Sequence, residues 1–132
     1  MALTPITITF GEGAAPVTYP DGSTASGALT FTLVDPTTGL PETISDSVTG
    51  ETVEPLPIVG QVHDGVLQAL PVGAGPYTPL VLLANDDPTT VPTSSVYLVH
   101  EELVAGSKPD WHFIVHYNAV GATQSIVSQR PA

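Results

Sequence analysis

SVYLVHEELVAGSKPDWHFIVHYN, residues Ser95–Asn118, is the stretch that decides the fold. It contains the single Trp and three of the four His residues. Two runs alternate apolar and polar side chains on either side of a break at Ala105–Asp110, which predicts a β-hairpin. With Leu103 placed opposite Trp111, the apolar side chains share one face, and a slip by one residue would scatter them over both faces. The predicted core residues of this hairpin are Tyr97, Val99, Leu103, Trp111, Phe113, Val115 and Tyr117.

The opposite face of the same hairpin carries the three histidines, His100, His112 and His116. In this register His112 lies across from Glu102, and zinc accepts both kinds of ligand. A metal site needs a third ligand within reach, and diagonal neighbours on a sheet are several ångströms further apart than direct partners. The candidate metal ligands are therefore His112, His116 and Glu102. The alternative is surface or interface imidazoles that titrate near neutrality.

Other side chains of this region that carry amide or carboxylate oxygens allow two interpretations each. Asn85, Asp86 and Asp87 are adjacent oxygen ligands for calcium, but Pro88 follows directly, which favours a turn capped by side chains. Glu101 falls on the apolar face of the hairpin. Its side chain is therefore either exposed to solvent near the end of the sheet or buried with a hydrogen-bond partner.

Catalytic motifs are absent from the sequence. It contains no G-x-S-x-G, no P-loop and no H-E-x-x-H, and no serine lies in a recognisable order with a His and an Asp. We therefore expect a protein that is not an enzyme, with no catalytic residues and no cofactor.

The rest of the chain consists of short alternating runs separated by turns. Gly27–Val34 is the clearest strand, with Leu29, Phe31 and Leu33 pointing to the core. Ile58–His63 and Val66–Leu70 flank Asp64-Gly65, which is typical of a hairpin with a type I′ turn. Further predicted elements are strands at Ile6–Phe10, Tyr77–Leu83 and Ser125–Val127, an edge strand or extended loop at Thr52–Ile58, and a loop at Pro71–Pro76.

These elements predict an all-β fold, a single-domain Ig-like β-sandwich of seven or eight short antiparallel strands. We expect one domain over residues 1–132. A short N-terminal arm, about residues 1–5, would precede it, and a loose C-terminal tail, about residues 128–132, would follow it.

The charge balance excludes several classes of partner. Lys and Arg together number 2 against 13 Asp and Glu, for a formal net charge of −11. Binding to nucleic acid or to an anionic membrane needs clustered basic side chains, so we expect neither. The acidity is explained either by a partner with a basic surface or by solubility alone. Charged residues make up only 11% of the chain, so much of the surface must be uncharged, as in a protein embedded in an assembly.

Features of export are also missing. The first residues, MALTPITITF, lack a basic region followed by a long apolar run, so we expect no Sec signal peptide. No run of about twenty apolar residues is present to span a bilayer. Cysteine is absent, so neither a disulfide framework nor a thiolate metal site is possible. We expect a soluble protein made in the cytoplasm.

Two segments resemble a small β-domain of virion proteins from tailed phages that infect actinobacteria. The first is Leu83–Tyr117, with the run LANDDP at its start, Pro92, and the strand Trp111–Val115. The second is Tyr19–Asp35, YPDGSTASGALTFTLVD, a strand led by glycine after an Asp-Gly turn. Together they cover most of the chain.

This resemblance implies a non-catalytic virion protein and supplies no catalytic residues. In that family the domain occurs in minor tail proteins, fibre heads and accessory capsid components. The histidines and the lack of a following fibre region favour a capsid decoration or cementing protein on the major capsid lattice. It would be a homo-oligomer or a symmetric cluster, with the N-terminal arm and the acidic surface making contacts. A tail, collar or baseplate component and a carbohydrate-binding module are the alternatives.

Overall fold

A computed structural model of the protein describes residues 3–12, 15–69 and 78–132. The predicted loop Pro71–Pro76 lies outside these ranges. Within them, no helix has the length and apolar character needed to cross a bilayer. The strands are β1 (Pro5–Thr9), β2 (Gly27–Val34), β3 (Ile44–Asp46), β4 (Thr52–Val53), β5 (Ile58–His63), β6 (Val66–Ala69), β7 (Leu80–Leu83), β8 (Thr90–Val91), β9 (Val96–Leu103), β10 (Trp111–Phe113) and β11 (Thr123–Ser125), and a short 3₁₀ turn spans Val120–Ala122.

The strands form three sheets, which confirms the predicted all-β class. A five-stranded sheet has the order β10-β9-β2-β5-β6, and two three-stranded sheets have the orders β11-β1-β7 and β4-β3-β8. All neighbouring strands are antiparallel except β1 and β11, which are parallel. The described residues form eleven strands, which is more than the seven or eight that the sequence predicts. Strands β3, β4 and β8 have only two or three residues, too few to produce a period-two pattern. The Ig-like connectivity stays a prediction.

Among the described residues, buried side chains from all three sheets form a hydrophobic core. Its centre is β2, whose side chains alternate as predicted, with Leu29, Phe31 and Leu33 buried. Phe31 packs against Phe113 of β10 with a ring-centroid separation of 6.1 Å. This arrangement is consistent with a β-sandwich. The remaining strands contribute the buried side chains Ile6, Ile8, Ile44, Val62, Leu67, Leu80, Leu82, Val99 and Trp111, among others.

The hairpin of β5 and β6 is confirmed. Its two central residues, Asp64 and Gly65, have φ of 50° and 81°. A type I′ turn needs positive φ at both positions, which Asp tolerates and Gly adopts freely. His63 therefore pairs with Val66 at the end of the ladder.

The register of the β9–β10 hairpin differs from the prediction by four residues. Trp111 lies opposite Val99 rather than Leu103. The cause is the loop, because the Ser107 hydroxyl accepts a hydrogen bond from the Leu103 N–H (2.8 Å) and replaces a partner strand there. A register shift by an even number of residues keeps each side chain on the same face of the hairpin. Six of the seven predicted core residues are therefore buried. Tyr117 is the exception, with 41% of its surface exposed.

Tyr117 is exposed because the chain leaves the sheet after Phe113. Ile114 donates its backbone N–H to Gln129 Oε1 (2.8 Å), and its carbonyl accepts hydrogen bonds from the side chains of Gln124 and Gln129 (2.8 and 2.9 Å). Side-chain amides thus take the place of a neighbouring strand. The chain beyond this point has no strand partner to hold Tyr117 against the core.

Described residues near both ends of the chain make specific contacts with the fold. Met1 and Ala2 of the predicted arm lie outside the described residues, but Leu3 is fully buried and its N–H donates to Glu51 Oε1 (3.1 Å). In the predicted tail, Gln129 holds Ile114 and Arg130 forms a salt bridge with Glu101 (2.6 Å). These contacts connect two residues of the predicted tail to the rest of the fold.

Candidate functional site

His100 lies on the outer face of the five-stranded sheet between two carboxylates. Its Nδ1 is 2.8 Å from Asp110 Oδ1, and its Nε2 is 3.3 Å from Glu102 Oε1. The hydrogen bond with Asp110 is the main cause that raises the pKa of His100, and the negative charges of both carboxylates act in the same direction. The group is about half exposed, so it forms a surface charge pair rather than a buried catalytic dyad.

The three candidate metal ligands are not brought together. In the observed register His112 pairs with Leu98 instead of Glu102. Glu102 contacts His100, and His116 Nδ1 lies 2.6 Å from Asp86 Oδ2. Across residues 3–12, 15–69 and 78–132, no three His, Asp or Glu side chains are grouped to hold a metal ion. The predicted His112–Glu102 pair is wrong because the register of the β9–β10 hairpin is shifted by four residues.

The loop after β7 is capped by Asp87, whose Oδ1 accepts hydrogen bonds from the Thr89 N–H (3.0 Å) and hydroxyl (2.8 Å), as the second of the two interpretations predicted. Asn85 is buried; its Nδ2 donates to the Ser95 carbonyl (2.8 Å) and its Oδ1 accepts the Val115 N–H (2.8 Å). Asp86 Oδ1 accepts the Tyr117 N–H (2.7 Å). These oxygens hold the segment after β10 in place.

Glu101 is buried with hydrogen-bond partners, which decides between its two predicted environments. Its carboxylate accepts hydrogen bonds from Trp111 Nε1 (2.8 Å), the Lys108 N–H (2.9 Å) and Arg130 Nε and Nη2 (2.6 and 2.7 Å). Burial alone would raise the pKa of Glu101, but these hydrogen bonds outweigh it and hold the pKa below its usual value. A carboxylate engaged at both oxygens and closed off from solvent stabilises the fold and is not placed to bind a ligand.

An apolar groove of about 160 Å³ opens between β7 and the segment joining β4 to β5. Leu56, Ile58 and Val81 at this groove are 73%, 38% and 46% exposed. Exposed apolar surface of this kind marks sites of protein interaction when it is contiguous. The residues that line the groove are Leu33, Val53, Glu54, Leu56, Ile58, Val81, Leu82, Leu83 and Tyr97.

Two features of the structure were missed by sequence reasoning. The groove has a signal in the run Pro55-Leu56-Pro57, because prolines on both sides of Leu56 remove backbone donors and keep it out of a sheet. The partner of Glu101 has no such signal, since Arg130 is separated from it by 29 residues. Only the scarcity of basic residues made Arg130 conspicuous.

Comparison of the chain with protein-family models, curated proteins and solved structures gave no match.

Proposed function

We propose that the protein is a non-enzymatic structural component of a phage virion, a decoration protein that binds the major capsid lattice. The resemblance of Tyr19–Asp35 and Leu83–Tyr117 to small virion β-domains is the starting point. The function needs a stable sandwich whose outer surface makes contacts, without a catalytic pocket.

The observation that carries this proposal is the character of the exterior. An open apolar groove lies on a protein whose formal net charge is −11. Apolar surface supplies affinity in protein interfaces, while a single sign of charge selects a partner of the opposite sign and accelerates encounter. Binding to a basic protein surface uses both features.

The position of the aromatic residues argues against a carbohydrate-binding module. Trp111 is 6% exposed and its ring packs edge-on against Phe113, with a centroid separation of 5.8 Å. Tyr97 is buried as well. Rings that are covered in this way offer no face on which a sugar ring can stack.

The proposal is tested with virions from which the gene for this protein has been deleted. We expect their heads to lose density at defined lattice sites in electron microscopy and to release DNA at a lower temperature than wild-type heads. Heads of unchanged appearance and heat stability would refute the decoration role. Density missing from the tail instead would place the protein in the tail, collar or baseplate.

A further inference from the structure

The groove between β7 and the β4–β5 segment is apolar and open to solvent at one side. Among the residues that line it, Leu33 and Tyr97 are buried, and Ile58 and Val81 are partly exposed. The Tyr97 hydroxyl donates to the Leu83 carbonyl (2.7 Å), so the one polar group of this ring is already paired. Apart from Glu54, an occupant therefore meets apolar side chains and the Tyr97 ring.

The volume of the groove matches one large side chain. Its 160 Å³ is close to the roughly 150 Å³ of an engineered apolar cavity that binds benzene. A pocket of this size accepts a Phe, Leu or Met side chain. Interfaces commonly concentrate their affinity in such anchors, which are buried in well-packed pockets.

The protein's own chain leaves this groove unfilled because of two prolines. Pro55 and Pro57 cannot donate to a β-ladder, and the strands on either side stop at Val53 and start again at Ile58. Leu56 between them stands out from the rim with 73% of its surface exposed. A leucine presented in this way adds to the apolar surface that a partner can cover.

The charge at the rim indicates the kind of partner. Among the described residues that line the groove, only Glu54 is charged, and it is exposed. The whole chain has two basic side chains, and one of them, Arg130, is engaged by Glu101. A second copy of this chain would therefore bring mostly further carboxylates to Glu54, whereas a basic partner would neutralise it.

We infer that the groove is a docking pocket for a large apolar side chain flanked by Lys or Arg on a basic partner protein. This inference rests on the proposed function, in which that partner is the capsid surface. Glu54 would select the basic flank, and Leu56, Ile58 and Val81 would cover the apolar anchor. The remaining carboxylates would steer the encounter.

The first test uses the isolated protein and a synthetic peptide, acetyl-Gly-Lys-Phe-Lys-Gly-amide. In ¹H–¹⁵N NMR titrations at millimolar peptide we expect the amide signals of Ile58, Val81 and Leu83 to shift. Leu56→Ser should weaken this binding about tenfold. Leu40→Ser removes a leucine that is similarly exposed, 65%, but lies outside the groove, and should bind like the wild type.

A second peptide tests the role of charge. With both Lys residues replaced by Glu, the peptide should bind the wild type at least fivefold more weakly, and Glu54→Gln should reduce that preference. Shifts confined to other parts of the protein, or equal binding by wild type and Leu56→Ser, would overturn the inference. Concentration-dependent dimers in sedimentation that disappear in Leu56→Ser would overturn it as well, because a second copy would then be the occupant.

Binding to virions that lack the protein separates this inference from the proposed function. Wild type and Leu40→Ser should rebind these particles, and Leu56→Ser should rebind less. If all three rebind equally, the decoration role stands and the groove is not the docking site. If the peptide binds in the groove while wild-type protein does not rebind the particles, the groove stands and the decoration role fails.

Discussion

Arg130 donates hydrogen bonds to both carboxylate oxygens of Glu101, with Nε 2.6 Å from Oε2 and Nη2 2.7 Å from Oε1. The Glu101 side chain has no exposed surface. The guanidinium also lies 5.4 Å from the centre of the Phe10 ring. One basic side chain thus joins β9 to the segment beyond β11.

Arg130→Ala should destabilise the protein strongly. It leaves the charge of Glu101 buried without its ionic partner, and breaking a buried pair in this way costs about 3–5 kcal/mol. Lys108→Ala is the matched control, because it removes the same charge, while Lys108 contacts Glu101 only through its backbone N–H. Urea denaturation measures both variants. Equal free energies of unfolding for the two would contradict a stabilising role of the salt bridge.

The same pair makes stability depend on pH in the acidic range. Because the pKa of Glu101 is lowered in the folded state, its contribution is complete above the ordinary value of 4.5 and is lost as the pH falls through the folded-state value. We expect the difference in unfolding free energy between wild type and Arg130→Ala to shrink progressively below pH 4.5. A difference that stays constant down to pH 2 would exclude this linkage.

His100 should titrate above the ordinary imidazole value of about 6.5, because Asp110 stabilises its protonated form. A raised folded-state pKa means that this contribution to stability is present below about pH 6.5 and is lost as the pH rises through the folded-state value. NMR of the imidazole protons measures it. Asp110→Asn should lower the His100 midpoint, whereas Asp64→Asn, which alters the carboxylate beside His63, should leave it unchanged.

Asn85→Ala should destabilise the segment after β10. The substitution leaves the Ser95 carbonyl and the Val115 N–H unpaired in a buried environment, at about 1–3 kcal/mol for each group. Asn118→Ala, at an exposed asparagine, is the control. Thermal unfolding compares them, and amide exchange at Val115 should accelerate only in Asn85→Ala. Unchanged exchange would show that other contacts hold this segment.

Two glycines with similar backbone angles should respond differently to alanine. Gly27 and Gly106 have φ of 142° and 133°, so both substitutions carry conformational strain of about 1–3 kcal/mol. A Cβ at Gly27 would lie only 2.2 Å from the Glu102 carbonyl oxygen on β9, while a Cβ at Gly106 meets nothing within 4 Å. Gly27→Ala should therefore be clearly more destabilising in urea denaturation. Similar losses would show that β2 and β9 can separate without cost.

Local patterns predicted most of the fold, but they did not predict the register of the β9–β10 hairpin. The period-two alternation of Gly27–Val34 and the Asp64-Gly65 turn act within a few residues, and both elements match the structure. The β9–β10 register depends on a single hydroxyl in the loop, Ser107, which no alternation pattern reveals.

The candidate site was less predictable, because burial and charge pairing depend on residues far apart in sequence. The faces of β9 and β10 followed from alternation, but the partner of Glu101 lies beyond the last strand. The parallel pairing of β1 with β11 joins strands at opposite ends of the chain. The groove unites four separate segments, and only the prolines beside Leu56 pointed to one of them.

The parallel pairing of β1 with β11 has a mechanical consequence. Thr7, Ile8 and Thr9 lie beside Thr123, Gln124 and Ser125, and both strands run in the same direction. Tension between the two chain ends would pull β1 backward and β11 forward, which slides one strand along the other. In this shear geometry all the hydrogen bonds between the two strands bear the load together, rather than breaking one after another. A domain connected in this way resists forces that pull its first and last strands apart.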